Sequence, residues 1–115
     1  MIYKGSCHCG QIAFEVEGEL TQLIECNCSI CRKKGSLMWM VSPAQFRLLA
    51  QEIEPATYTF NKHRVEHRFC PKCGIHTFGE GIAPNGEKMI AANARCLDEV
   101  DLASIPIRPF DGRSL

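Results

Sequence analysis

The chain has 115 residues, of which 45% are hydrophobic, and its 13 lysine and arginine residues balance 13 aspartate and glutamate residues. This length and composition are typical of one globular domain, which we place at residues 1–115, and they argue against an intrinsically disordered protein. The neutral charge argues against nucleic acid and anionic membranes as partners, and no apolar run approaches the roughly 20 residues of a membrane-spanning helix.

The first predicted elements are two short strands. Residues 11–17 place Ile12, Phe14 and Val16 on one side and the intervening residues on the other, which is the pattern of a half-buried strand. A second strand is predicted at residues 20–26, after a turn at a glycine.

One short helical turn is predicted at residues 29–35. Ser29 is a suitable cap for its start and Gly35 a suitable end. A β run at residues 37–42 follows, and we expect its Trp39 in the core rather than in an interface.

The later elements are predicted as strands separated by turns. In chain order they are a turn at residues 42–46 with a strand at 47–50, a hairpin of residues 57–60 and 64–69 with its bend at Asn61-Lys62, and strands at 75–79 and 88–95 joined by a turn at Pro84-Asn85-Gly86. No window of a dozen residues has a helical period. We therefore predict a mainly β fold of about eight short, mostly antiparallel strands.

Cysteine is the unusual residue, with eight copies in the chain. An even number is compatible with a disulfide framework. However, residues 1–5 lack the basic and apolar pattern of a signal peptide, which predicts a cytoplasmic protein, and structural disulfides are rare there. The cysteines also fall into tight local groups, so metal binding is the better interpretation.

Seven of the cysteines divide into two sets of zinc ligands. Two closely spaced pairs, which we call the paired cluster, are Cys7 with Cys9 and Cys70 with Cys73. Three more, which we call the triplet, are Cys26, Cys28 and Cys31. Because a structural zinc takes four protein ligands and a catalytic zinc commonly three, we predict two Zn²⁺ sites. We expect loss of the metal from the paired cluster to unfold the protein.

Several residues are candidates for a fourth ligand of the triplet. They are Cys96 and the histidines His8, His63, His67 and His76. A lone cysteine in an apolar strand is more often a small buried hydrophobe, and a lone histidine is more often a surface or hydrogen-bonded ring. His76, beside the second cysteine pair, is the histidine most worth examining.

An open zinc site with three thiolates has a specific chemistry. Its net negative charge makes the metal a weak Lewis acid toward water, whereas an incoming thiol binds it as a thiolate. The triplet is therefore the candidate catalytic site. Arg32, Lys33 and Lys34 follow directly and are candidate substrate-binding residues for the carboxylates of an anionic thiol. The alternative is a solvated basic turn.

The chain resembles the glutathione-dependent formaldehyde-activating enzyme family, and most closely the branch that includes centromere protein V. The strings that carry the resemblance are Gly5-Ser6-Cys7-His8-Cys9-Gly10, Cys26-Asn27-Cys28-Ser29-Ile30-Cys31-Arg32-Lys33, Phe69-Cys70-Pro71-Lys72-Cys73-Gly74, Asn93-Ala94-Arg95-Cys96-Leu97-Asp98 and Phe110-Asp111-Gly112-Arg113. The resemblance implies a β-tent fold, in which short antiparallel sheets are pinned by zinc. It also implies a structural zinc on the paired cluster and a catalytic zinc on the triplet.

The activity that the resemblance implies is the condensation of glutathione with formaldehyde to S-hydroxymethylglutathione, formally a carbon–sulfur lyase reaction. Three functions remain open at this point. They are an enzyme acting on glutathione or another small thiol and an aldehyde, a non-catalytic zinc module used for binding, and a thiol-redox or metal-handling protein. The unfilled fourth position of the triplet favours the enzyme. The sequence does not indicate an oligomeric state.

Overall fold

The computed structural model describes residues 1–49, 52–60, 65–83 and 85–114. Ten strands and one α-helix lie in these ranges. They are β1 Ile2–Ser6, β2 Ala13–Glu17, β3 Leu23–Cys26, α1 Ser29–Lys34, β4 Met38–Val41, β5 Phe46–Leu48, β6 Ala56–Tyr58, β7 Glu66–Phe69, β8 His76–Ile82, β9 Lys88–Asn93 and β10 Ile107–Phe110. Short 3₁₀ turns are formed by Pro43–Gln45, Ala94–Cys96, Leu102–Ser104 and Gly112–Ser114. Within these ranges no helix has the length and apolarity of a transmembrane helix.

The strands form two sheets. The small sheet has the order β1-β2-β5, and the large sheet has the order β10-β3-β4-β9-β8-β7-β6. Neighbouring strands are antiparallel, except that β10 lies parallel to β3. The predicted mainly β fold of short, mostly antiparallel strands is confirmed.

The core lies between the two sheets and is joined across them by aromatic rings. The Phe46 ring, next to β2 in the small sheet, stands 5.2 Å from the Phe14 ring and 4.7 Å from the Phe78 ring of the large sheet, centroid to centroid. A second contact places the rings of Tyr3 and Trp39 5.2 Å apart, edge to face. Trp39 is 7% exposed, so its predicted place in the core is confirmed.

The alternation predicted along the second strand is also confirmed. Ile12, Phe14 and Val16 are all 0% exposed. They face the core because alternate side chains of a strand point to opposite sides of its sheet.

Two strands, β1 and β10, were not predicted from the sequence. β1 pairs residue for residue with β2. Its one buried position is Gly5, so the strand has no alternation of apolar side chains that could reveal it. β10 is exposed at all four residues and contains Pro109. Only its pairing with β3 identifies it as a strand. Its proline is tolerated because β10 lies at the edge of the sheet.

Some predicted boundaries were wrong. Cys28, not Ser29, is the N-cap of α1, with φ −64° and ψ 165°, while Gly35 ends the helix as predicted, at φ 67°. The second predicted strand starts only at Leu23, and the last predicted strand stops at Asn93, where the chain turns into a 3₁₀ helix.

The hairpin predicted in the second half is present as β6 paired with β7. The predicted bend at Asn61-Lys62 lies outside the described residues, as do His63, Pro84 of the next predicted turn and the end of the predicted strand at 47–50.

Gly5 is a position where the fold leaves no room for a side chain. A Cβ there would stand 2.8 Å from both the Cys96 carbonyl oxygen and the Phe14 Cζ atom. We expect Gly5→Ala to lower the free energy of unfolding by about 1–3 kcal/mol, because neither neighbour can move without disturbing the core. Thermal unfolding of the metal-loaded protein measures this.

Gly79→Ala is the matched control, since a Cβ at Gly79 would meet its nearest atom, the Glu66 carbonyl oxygen, at an ordinary 3.5 Å. The control should not lower the unfolding free energy, because the backbone at Gly79 accepts an alanine without a close contact. Equal effects of the two substitutions would contradict this account of Gly5.

Candidate metal centres and the adjoining cavity

The four thiols of the paired cluster converge on one point. Their Sγ atoms all lie within 4.8 Å of one another, and the Cys9 Sγ is 3.6 Å from the Sγ atoms of both Cys7 and Cys70. Four sulfurs about 2.3 Å from a tetrahedral zinc ion are about 3.8 Å apart, whereas a disulfide brings two sulfurs to about 2.05 Å. All the cysteines are free. The donor set and spacing therefore fit a zinc ion.

The two halves of this cluster are tight turns closed by local hydrogen bonds, which span three residues in the first turn and four in the second. Gly10 and Gly74 each follow a cysteine pair, and both have φ 82°, a conformation that favours glycine. The Gly10 N–H donates to the Cys7 carbonyl (3.2 Å), and the Gly74 N–H donates to the Cys70 carbonyl (2.8 Å). Each turn thus forms by local hydrogen bonds.

Backbone amides point at the sulfurs of these turns. The Ile12 N–H donates to the Cys7 Sγ at 3.3 Å, and the N–H groups of Lys72 and Cys73 donate to the Cys70 Sγ at 3.3 and 3.4 Å. Burial raises the pKa of the Cys70 thiol, but these amides outweigh burial and hold the pKa below its ordinary value. The thiolate, which is the form that binds metal, is favoured.

The cluster connects the two sheets. Its first turn is the loop between β1 and β2 of the small sheet, and its second turn is the loop between β7 and β8 of the large sheet. The sulfurs of Cys9 and Cys70 that meet there are 61 positions apart in the chain.

The triplet is built at the junction of β3 and α1. Cys26 ends the strand, Cys28 is the N-cap of the helix, and Cys31 lies on its buried side. The three Sγ atoms lie within 4.8 Å of one another, and among the described residues no fourth histidine, cysteine or carboxylate joins them. The donor set fits a metal ion with one coordination position left open.

The three thiols of the triplet differ in acidity. Burial raises the pKa of Cys31 to about 12. Burial also acts to raise the pKa of Cys28, but the nearby amides of Cys31 and Ile30 lower it below the ordinary value. Cys28, which is half-buried, is therefore the most acidic sulfur of the triplet and the most accessible one.

The C-terminal segment covers the triplet, a placement that no local pattern in the sequence predicts. The Asn27 side chain donates to Asp111 Oδ1 (3.0 Å) and accepts from the Arg113 N–H (2.9 Å). Gly112 then passes so close to Cys26 that a Cβ would stand 2.5 Å from its Sγ. Glycine at this position thus lets the segment close over the site.

Lys34 lies one helical turn after Cys31 and contacts two histidines. Its Nζ is 3.1 Å from His67 Nδ1 and 3.3 Å from His76 Nε2. Burial, followed by the charge of Lys34, lowers the pKa of His67 to about 4 and that of His76 to about 3. Both rings are neutral at pH 7, so each accepts a hydrogen bond from the Lys34 ammonium group. The ion pairs found among the described residues do not include Lys34.

A cavity of about 510 Å³ opens between α1 and the second cysteine turn. It is lined by Lys34, both histidines, Arg95 and Cys96, among others, and none of its described lining residues is acidic. A second cavity of about 430 Å³ is lined by residues of the triplet itself, Cys26 and Cys31. Both volumes lie in the range of small-molecule sites.

The structure separates Arg32 from the other two predicted substrate-binding residues. Lys34 is partly buried and lines the larger cavity. Arg32 is exposed and lines the second cavity, next to the triplet. Lys33 is exposed on a shallow surface that it shares with Lys34, Tyr58 and Phe60.

The remaining candidate ligands lie away from the triplet metal position. Cys96 is 9% exposed, and its thiol donates to the His76 carbonyl oxygen at 3.4 Å. His8 is exposed. His67 and His76 hold Lys34, a pairing that no local sequence signal could reveal because the three residues come from three different elements.

Comparison with known proteins gives two results. The model of the family "Glutathione-dependent formaldehyde-activating enzyme" matches residues 2–109. The crystal structure of a Rhodobacter sphaeroides protein from a structural genomics programme superposes with a TM-score of 0.77 and 26% sequence identity, over 91% of this chain and 99% of that chain. The match is to the family as a whole, so the resemblance to the centromere protein V branch stays a prediction.

The contacts of Lys34 predict opposite tautomers for its two histidines. His67 should carry its proton on Nε2 and His76 on Nδ1, because the other nitrogen of each ring accepts from Lys34. Their lowered pKa values should keep both rings neutral from about pH 8 to about pH 5, while the unfolded chain takes up protons near pH 6.5. These groups therefore make the fold less stable as the pH falls below about 6.5, until the folded protein itself takes up the protons, near pH 4 for His67 and pH 3 for His76.

Long-range ¹⁵N–¹H NMR spectra recorded across this pH range measure both the tautomers and the charge. Replacing Lys34 by methionine should raise the pKa of His67, and replacing the exposed Lys88 by glutamine should not. Titration of either ring near pH 6.5 in the unmodified protein would contradict the assignment.

Proposed function

Because the chain belongs to the glutathione-dependent formaldehyde-activating enzyme family, we propose that it catalyses the addition of a small thiol, such as glutathione, to an aldehyde. The reaction is that of an S-hydroxymethylglutathione synthase, a carbon–sulfur lyase in its formal class. The observation that carries the proposal is a cluster of three thiols with no fourth ligand among the described residues, beside a cavity lined by cations.

Two zinc sites are part of this proposal. Cys7, Cys9, Cys70 and Cys73 would hold a structural ion, and Cys26, Cys28 and Cys31 would hold the catalytic one. When bound to the triplet, zinc supplies an open coordination position that takes a sulfur ligand as its thiolate. The spacing of the sulfurs supports both assignments.

The charge of the larger cavity supports an anionic thiol as the substrate. The second cavity, at the triplet, is lined by Arg32 and by the carboxylates of Glu25 and Asp111. Lys34 and Arg95 line the larger cavity without an acidic neighbour among its described lining residues. We assign Lys34 to the inner part of the substrate site. Arg32 and Lys33, on the exposed side of α1, would contact the outer carboxylates of a substrate the size of a tripeptide.

For this reaction the protein needs only to position the thiol and the aldehyde and to set the protonation state of the sulfur. The sulfur of the thiol forms a bond to the carbonyl carbon of the aldehyde, and a proton reaches the carbonyl oxygen. Holding the two reactants together and keeping the sulfur as a thiolate are the two effects that accelerate such a step. Free cysteines throughout the chain suit the reducing cytoplasm, where we place the activity.

Replacement of single cysteines tests the proposal. We expect Cys28→Ser to keep the fold and lower the rate of thiol–aldehyde addition on the order of 100-fold or more, because the most acidic ligand of the triplet is lost. Cys70→Ser should instead prevent folding, because a structural zinc contributes on the order of 10 kcal/mol. Cys96→Ser is the control and should keep both metals.

Three measurements on each variant decide the outcome. They are the zinc count by native mass spectrometry, the circular dichroism melt, and the rate of S-hydroxymethylglutathione formation above the uncatalysed background. If Cys28→Ser unfolds, the triplet is a structural metal site and not a catalytic one. An unmodified protein that is folded and holds two zinc ions but does not accelerate the addition would instead favour the alternative function, a non-catalytic zinc module used for binding.

Stepwise removal of metal gives a separate prediction. The triplet offers three ligands and the paired cluster four, so a chelator should take the triplet ion first. We expect the first step to abolish activity with little change in the circular dichroism spectrum, and the second step to unfold the protein. Loss of secondary structure in the first step would show that the order of the two sites is reversed.

A further inference from the structure

We propose that Lys34 is a catalytic residue that gives a proton to the aldehyde oxygen as the thiol sulfur bonds to the carbonyl carbon, and that His67 and His76 hold its ammonium group in position. This inference rests on the proposed function and adds to it the proton donor of the reaction.

The first observation is the position of Lys34 on α1. Cys28, Cys31 and Lys34 are spaced by three residues and therefore follow one side of the helix. Side chains at this spacing have Cβ atoms about 5–6 Å apart. The charges of Cys31, Cys28 and Cys26 all act on Lys34, in that order of strength. A substrate bound through its sulfur at the triplet would thus lie within the electrostatic reach of Lys34.

The second observation is the set of hydrogen bonds at Nζ. An ammonium group has three N–H donors, and the described contacts use two of them, to His67 and to His76. The third N–H has no acceptor among the described residues, and Lys34 lines the larger cavity. One donor is therefore left for a ligand in that cavity.

The third observation is the absence of a carboxylate partner among the described residues. Arg68, on the neighbouring strand β7, shows the usual arrangement for a partly buried cation, with Glu80 at 2.9 Å and Glu66 at 3.9 Å. The titratable groups around Lys34 are instead the three triplet thiols and the two imidazoles. Arg95, Cys96 and Tyr58 line the same cavity. Neutral imidazoles orient the ammonium group without neutralising it.

The acidity of Lys34 agrees with this role. Burial lowers its pKa, and the nearby thiols oppose that shift only in part. A lysine with a lowered pKa gives up its proton more readily than a lysine in water, which is the requirement for a general acid.

The proposed step moves one proton and forms one S–C bond. The thiol loses its proton to solvent when it binds as a thiolate. The sulfur then forms the S–C bond, the π electrons of the carbonyl group move to oxygen, and Lys34 transfers one proton to that oxygen to give the hydroxyl group. The neutral amine regains a proton from solvent. The net reaction joins one thiol and one aldehyde, with no oxidant or reductant.

Two substitutions of Lys34 separate proton transfer from simple charge. Lys34→Gln removes both, and we expect kcat to fall about 100-fold. Lys34→Arg keeps the positive charge, but a guanidinium group does not give up a proton in this pH range, so KM should stay near the unmodified value while kcat stays low. Lys88→Gln, which changes an exposed lysine, should leave both constants unchanged. Zinc counts and circular dichroism confirm that each variant is folded.

The pH profile gives a readout that a purely structural lysine would not move. The kcat of the unmodified protein should fall at high pH, as Lys34 loses its proton, and this alkaline limb should be missing in Lys34→Arg. Full kcat in the arginine variant, or a change confined to KM in both variants, would overturn the assignment while the proposed function stands. If the unmodified protein does not accelerate the addition at all, the proposed function and this inference both fail.

Discussion

Four cysteine sulfurs join the two sheets of this protein, and the rest of the structure is arranged around that junction. One cysteine turn belongs to the small sheet and the other to the large sheet, and the sulfurs approach to 3.6 Å. The second turn leads directly into β8, so it also fixes His76, three residues after Cys73, at the wall of the larger cavity. The paired cluster therefore helps to position one wall of the cavity beside α1.

The six-residue helix α1 carries most of the chemistry, although a helix of this length is not stable alone. Its start is tied to the triplet through Cys28 and Cys31. Its end is closed by Gly35, whose carbonyl accepts from the Arg95 Nε at 2.9 Å. Lys34, between these anchors, contacts two histidines of the large sheet. The tertiary structure holds the helix, and the helix in turn presents the triplet and the lysine together.

The parts of the structure that could be predicted are those with a local signal. The alternation at Ile12, Phe14 and Val16 placed a strand correctly, and closely spaced cysteines revealed both clusters because ligand spacing is a property of short segments. The exposed strand β10 had no such signal. Neither did the contact between Asn27 and Asp111, whose partners are 84 positions apart, nor the meeting of Lys34 with two histidines. Contacts of this kind depend on topology, which residue patterns do not record.

The two cysteine turns lie far apart along the chain. Metal affinity at the paired cluster therefore depends on the packing of the hydrophobic core. Each turn presents only two sulfurs, and the complete tetrahedral set exists only after a loop of about sixty residues has closed. The closing interaction is the core, including the contact of Phe46 with Phe14 and Phe78. The free energy of metal binding and that of folding are then one quantity. A defect in core packing far from any cysteine would then weaken the retention of a metal held by this cluster, and loss of that metal would give the same unfolded chains as a damaged core.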